Sequence, residues 1–84
     1  MVRVTQVSAP RFRELHIHFS DGVEGSIQLG EEFQGVAAPL NDPHVFATVH
    51  VIDDGYGIGF DGCEYDMCAE QVHREVLQTS SVAA

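Results

Sequence analysis

The side chains of this sequence that offer chemistry beyond solvated charge are its histidines and its two cysteines. His16 and His18 are separated by one residue, a spacing that puts two imidazoles on one face of a strand and recurs in metal sites. His50 joins them if its strand lies nearby. Metal chemistry needs three or four convergent ligands, so a pair of histidines on a wet face is expected to be solvated rather than ligating. Cys63, Cys68 and His73 form a Cys-x4-Cys-x4-His string. Zinc pairs sit at Cys-x2–4-Cys, a range this spacing meets at its upper end, and no fourth ligand is obvious, although Asp61 or Asp66 could serve. A thiol nucleophile can be drawn from Cys63, His73 and Asp66, but only composition supports it, because the chemistry needs a base and an orienting third group in contact. Glu31-Glu32 and Asp53-Asp54 fall in loop-like stretches and are expected to be solvated. Gly55-x-Gly57-x-Gly59 opens a strand rather than a helix, so it is no dinucleotide fingerprint. The expectation is therefore no catalytic residue, no cofactor and no metal site, with His16, His18, Cys63, Cys68 and His73 as the candidates if a metal does bind.

The elements that carry these residues follow from periodicity. Val2 to Val7 alternates loosely and predicts a first strand that Ala9-Pro10 ends. Glu14 to Phe19 alternates cleanly: Leu15, Ile17 and Phe19 share one face, Glu14, His16 and His18 the other. After Asp21-Gly22, Val23, Ile27 and Leu29 oppose Glu24, Ser26 and Gln28. A two-residue turn would set apolar against polar faces. A three-residue loop, Ser20-Asp21-Gly22, pairs Phe19 with Val23, Ile17 with Gly25 and Leu15 with Ile27, and needs glycine in the left-handed conformation at Gly22. His18 then lies opposite Glu24 on the wet face.

The second hairpin, Thr48 to Ile52 and Tyr56 to Phe60, is solved by a two-residue Asp54-Gly55 turn of type I′. That turn pairs Val51 with Ile58 and Val49 with Phe60. The opposite face, with His50, Ile52, Gly57 and Gly59, is left nearly bare. Glycine in a strand marks close approach, so this face is the expected interaction surface unless the Phe33 to Leu40 loop covers it. Asp42-Pro43 reads as an N-cap and first helical residue, predicting a short helical turn that carries Val45 and Phe46 inward. A helix from about Ala69 to Gln78 places Ala69, Val72, Val76 and Leu77 on one stripe. The predicted architecture is α+β: a small, mainly antiparallel sheet of two hairpins and an N-terminal strand, with the helical turn and a C-terminal helix packed on one face. Residues 1–78 form one domain, and 79–84 are expected to fray.

Eighty-four residues allow one thin core, since a chain this size buries only about 60–65% of its unfolded surface. Thirteen acidic residues stand against four arginines (Arg3, Arg11, Arg13, Arg74) and no lysine, a formal charge of −9. Such a surface repels phosphate backbones and anionic membranes and attracts basic proteins. Nothing in the chain reads as an apolar leader or a membrane span, and two cysteines are too few for a disulfide scaffold; both readings lead to a cytoplasmic expectation.

The order of segments, "LHIHFSDG", "PLNDPHVF", a hairpin, a large aromatic and then "DMCAEQVH", resembles the bacterial domain of unknown function 2442 family. The matching positions are Phe19, Asp21 and Gly22; Leu40, Asp42 and Phe46; Gly57, Ile58 and Phe60; and Asp66, Met67, Ala69, Val72 and His73. The likeness runs over about residues 2–77. Phe60 stands where that family has Trp, His73 where it has Tyr, and one extra residue sits near Cys63. The resemblance implies a bacterial α+β domain with no established activity, and an antitoxin-like or accessory role beside small toxin-like proteins. Taken together, the expectation is a non-enzymatic protein-interaction module with a basic protein partner, no nucleic acid and no membrane. A homodimer is also expected, meeting through the face of His50, Ile52, Gly57 and Gly59. The alternatives are a structural homodimer with no separate partner, or a metal-binding protein using His16 and His18 or Cys63, Cys68 and His73.

Overall fold

The computed structural model describes residues 2–83, with side-chain surroundings for residues 2–79. Its strands are β1 (Val4–Arg11), β2 (Glu14–Phe19), β3 (Glu24–Gln28), β4 (His50–Ile52), β5 (Gly57–Phe60) and β6 (Cys63–Cys68). Its α-helices are the single turn α1 (Pro43–Phe46) and the long α2 (Ala69–Ala83), and a 3₁₀ helix spans Gly35–Asn41. The class is α+β as expected, with the strands divided between two antiparallel sheets, β1-β2-β3 and β4-β5-β6.

The first sheet follows the apolar alternation. Leu15 pairs with Ile27 and Ile17 with Gly25, as the three-residue loop requires. Gly22 takes φ 89°, and the chain closes with Phe19 N–H donating to the Val23 carbonyl at 2.9 Å. The Asp21 carboxylate accepts from Val23 N–H at 3.0 Å, an Asx turn that fixes the loop. β1 is a correction: it does not end at Ala9-Pro10 but runs to Arg11. The register shifts between Ser8 and Arg11, so Pro10 sits in an irregular stretch where a missing N–H is tolerated.

The second hairpin has the predicted register, His50 with Gly59, Val51 with Ile58 and Ile52 with Gly57. Asp53 (φ 53°), Asp54 (φ 56°, ψ 29°) and Gly55 (φ 97°) are three consecutive left-handed residues, and Tyr56 N–H donates to the Asp53 carbonyl. The expected left-handed pair Asp54-Gly55 is there, but Asp53 joins it outside the strand. β6 has no counterpart in the expectations. It pairs with β5 through Gly57–Cys68 and Ile58–Met67 and leads directly into α2. Only Met67 is buried in it, so its alternation is too polar to announce a strand.

α1 is capped as predicted: Asp42 accepts from His44 N–H at 2.9 Å, Pro43 opens the turn and Phe46 is buried. The core lies between the sheets and α2. Leu15, Ile17, Leu40, Phe46, Ile58, Val72 and Val76 are its fully enclosed side chains, each contributing on the order of 1.5–3 kcal/mol. Leu77 is a second correction, exposed rather than in the stripe. The end of the helix is a third: α2 runs to Ala83 rather than stopping at about Gln78, and residue 84 lies outside the described residues. Among the described residues, no helix is long and apolar enough to cross a membrane.

Candidate functional site

The alternation of β2 lifts His16 and His18 onto the outer face of the first sheet, and the register of β3 sets Glu24 opposite His18 and Ser26 opposite His16. Glu24 thus reaches both rings. Its Oε2 lies 2.8 Å from His16 Nε2 and 3.4 Å from His18 Nε2. The two rings meet edge to face at 5.2 Å. The other ring nitrogen of His16, Nδ1, is 2.9 Å from Ser26 Oγ. The hydrogen bond from His16 lowers the Glu24 pKa, with the charge of His18 adding to it. The ligand atoms of His16, His18 and Glu24 all lie within 4.8 Å of one another, so the pair foreseen in the sequence is a triad.

A groove of about 390 Å³ opens beside the triad. His16 and His18 line one wall with Gln6 and Ser8, and Val49, His50 and Val51 line the other. His50 therefore approaches but does not join the triad. Its Nδ1 is 2.8 Å from the Thr48 carbonyl and 3.9 Å from Asp61.

The Cys63–Cys68–His73 string is dispersed. The cysteines start and end β6, about 16 Å apart at strand rise. Cys63 Sγ points to the Val36 carbonyl at 3.3 Å, and Cys68 is exposed. His73 packs edge-on against Phe19 and pairs with Asp21 at 2.9 Å. Neither a four-ligand zinc site nor a Cys63–His73–Asp66 nucleophile is assembled from them.

On the bare face of the second hairpin, the two glycines are covered by a side chain of the same hairpin. A Cβ on Gly57 would stand 3.1 Å from Ile52 Cγ1, and one on Gly59 would stand 3.1 Å from Ile52 Cγ2. Ile52 lies across both glycines, so the space they leave is filled by a side chain of the same hairpin, not by the Phe33 to Leu40 loop or by an open cradle.

A second site was not foreseen. The segment after β3 runs beside β6 and α2, and a groove of about 510 Å³ forms between them. Leu29, Phe33, Ala37 and Tyr65 give it an apolar floor, and Glu31, Glu32 and Glu75 stand around it. Its wall is ordered. Asn41 clamps the Phe33 backbone, accepting from its N–H at 3.0 Å and donating to its carbonyl at 2.8 Å. Arg13 donates to the Gly30 carbonyl at 3.1 Å and lays its guanidinium toward the Phe33 ring. Among the described residues, none of the three glutamates has an ion-pair partner within 4.0 Å. In sequence Glu31 and Glu32 look like solvated loop charges; only the return of α2 beside them, bringing Glu75, reveals a grouping. No protein-family model, curated protein or solved structure matches this chain.

Proposed function

We infer that this chain is a non-enzymatic protein-interaction module whose partner presents an arginine- or lysine-bearing segment. One observation carries this reading: Glu31, Glu32 and Glu75 stand around the apolar floor of Leu29, Phe33, Ala37 and Tyr65 with no ion-pair partner among the described residues. An aliphatic stem with a cationic head fits such a groove, stem on the floor and head at the carboxylates. The chain's net charge of −9 adds long-range attraction for such a partner and speeds encounter. The clamps on Phe33 hold one wall before a ligand arrives, which lowers the ordering cost of binding.

The test is titration of the purified chain with a short peptide that alternates arginine and leucine, at low and high salt. Binding should weaken as salt rises. The triple variant Glu31→Gln, Glu32→Gln, Glu75→Gln should lose about tenfold in affinity, from roughly 0.5 kcal/mol per charge. A charge-matched control, Glu64→Gln, Asp66→Asn, Glu70→Gln, lies outside the groove and should lose much less. Equal losses in the two triples would mean attraction to net charge alone.

A further inference from the structure

We propose that His16, His18 and Glu24 form a binding site for a divalent transition-metal ion of the zinc class. The donor set is two imidazoles and one carboxylate, which suits zinc, nickel or copper and is poor for the oxygen-seeking calcium and magnesium. The spacing fits one ion. Two donors held at about 2.1 Å from a metal stand about 3.0 Å apart at a right angle and about 3.4 Å apart at the tetrahedral angle. Glu24 Oε2 is 2.8 Å from His16 Nε2 and 3.4 Å from His18 Nε2, so small rotations of three partly exposed side chains place all three around a common centre.

The backbone supplies the preorganisation. His16 and His18 cannot leave their shared face without moving Leu15 and Ile17 out of the core, because neighbouring strand positions point to opposite sides. The β2–β3 register fixes Glu24 opposite His18 in the same way. Ser26 provides an outer contact: with Nδ1 of His16 engaged at 2.9 Å, Nε2 is the nitrogen directed at the site. An ion entering there takes the place of the proton shared between His16 Nε2 and Glu24.

The fourth side is open. The groove lined by Gln6, Ser8 and His50 leaves room for water ligands or for a donor from another molecule. Three protein ligands beside an open position define an exchangeable site, unlike the closed four-ligand sites that hold folds together. The buried core lies on the other face of the sheet and makes no use of the ion.

The experiment is calorimetric titration of the full chain, free of any histidine tag, with zinc chloride and separately with nickel chloride. One ion per chain should bind in the micromolar range. His18→Ala and Glu24→Gln should each weaken binding by about tenfold or more, and Ser26→Ala by a similar or smaller factor. The double variant Cys63→Ser, Cys68→Ser should bind as the parent does, and circular dichroism should show every variant folded. Glu24→Gln keeps the shape of the side chain, so its result stands even if a histidine variant folds poorly. In the parent chain, zinc should also shift or broaden the ring proton resonances of His16 and His18 and leave those of His44 unchanged. Absence of saturable binding below millimolar zinc would overturn the proposal and leave an ordinary histidine–glutamate pair. So would binding that survives Glu24→Gln intact or that disappears with the cysteines.

Discussion

Gly25 of β3 and Val76 of α2 meet so closely that a Cβ at position 25 would stand 2.8 Å from Val76 Cγ1. This contact seats the helix on the first sheet. Val76 is buried and β-branched, so it has little freedom to turn aside. Gly25→Ala should cost about 1–3 kcal/mol by overpacking. In the double variant with Val76→Ala the total cost should be less than the sum of the two single costs, because the smaller helix residue makes room for the new methyl. Denaturant titration of the four proteins checks this. Strict additivity would place the helix further from the sheet.

The helix also contributes Val72, fully enclosed between the layers. Val72→Asp buries a carboxylate with no partner and should cost on the order of 2–4 kcal/mol, enough to unfold a large share of so small a domain. Its exposed neighbour Gln71 should accept Asp with little change in thermal midpoint. Wild-type stability in Val72→Asp would show that α2 does not dock.

Acid should loosen the protein through two carboxylates. The Asp21 pKa lies below its ordinary 3.8, chiefly because Val23 N–H donates to the carboxylate, with His73 adding a hydrogen bond and charge. The Glu24 pKa lies below its ordinary 4.5, chiefly through the hydrogen bond from His16. A carboxylate whose folded pKa is depressed stabilises the fold above its unfolded value. That stabilisation is lost as pH falls through the folded one. Denaturant midpoints should therefore drop as pH falls below the ordinary values of 4.5 and 3.8 and on through the lower folded ones. Asp21→Asn keeps the turn's acceptor while losing the charge facing His73, so its midpoint should fall less over the same range. An identical slope would remove Asp21 from the account.

Chelator should leave the thermal midpoint of the chain as purified from the cell largely unchanged, since the core is built from apolar side chains alone. Zinc at a hundred times its dissociation constant should raise stability by about 2.7 kcal/mol, because only the folded register assembles the triad. A midpoint collapse in chelator would instead mean a structural metal.

Both hairpin registers were legible in the sequence because each has one face that must be buried. Setting Leu15 opposite Ile27, or Val51 opposite Ile58, leaves a single turn length that works. The cap at Asp42 was legible because Asp-Pro carries its own local chemistry. β6 was not, because Glu64 and Asp66 are exposed, Tyr65 is half-buried and Met67 alone is enclosed. The Ile52 cover over Gly57 was missed because glycine spacing shows where room exists but not which neighbour fills it. Part of the histidine triad was implicit in the register that sets His18 against Glu24. The reach of Glu24 across to His16 is a matter of rotamer, which periodicity does not encode. The acidic groove was hidden because Glu75 lies more than forty residues from Glu31 and Glu32 and meets them only through the docking of α2.

The central claim is that the groove between the 29–34 segment, β6 and α2 receives a cationic partner segment. The direct measurement is a nitrogen–proton correlation spectrum of the labelled chain during titration with the arginine–leucine peptide. The amide signals of Leu29 to Gln34, Tyr65 and Glu75 should move together and saturate, and those of Asp53 to Tyr56 at the far hairpin turn should stay in place. Shifts spread evenly over the acidic surface, or centred away from Phe33 and Tyr65, would contradict the account.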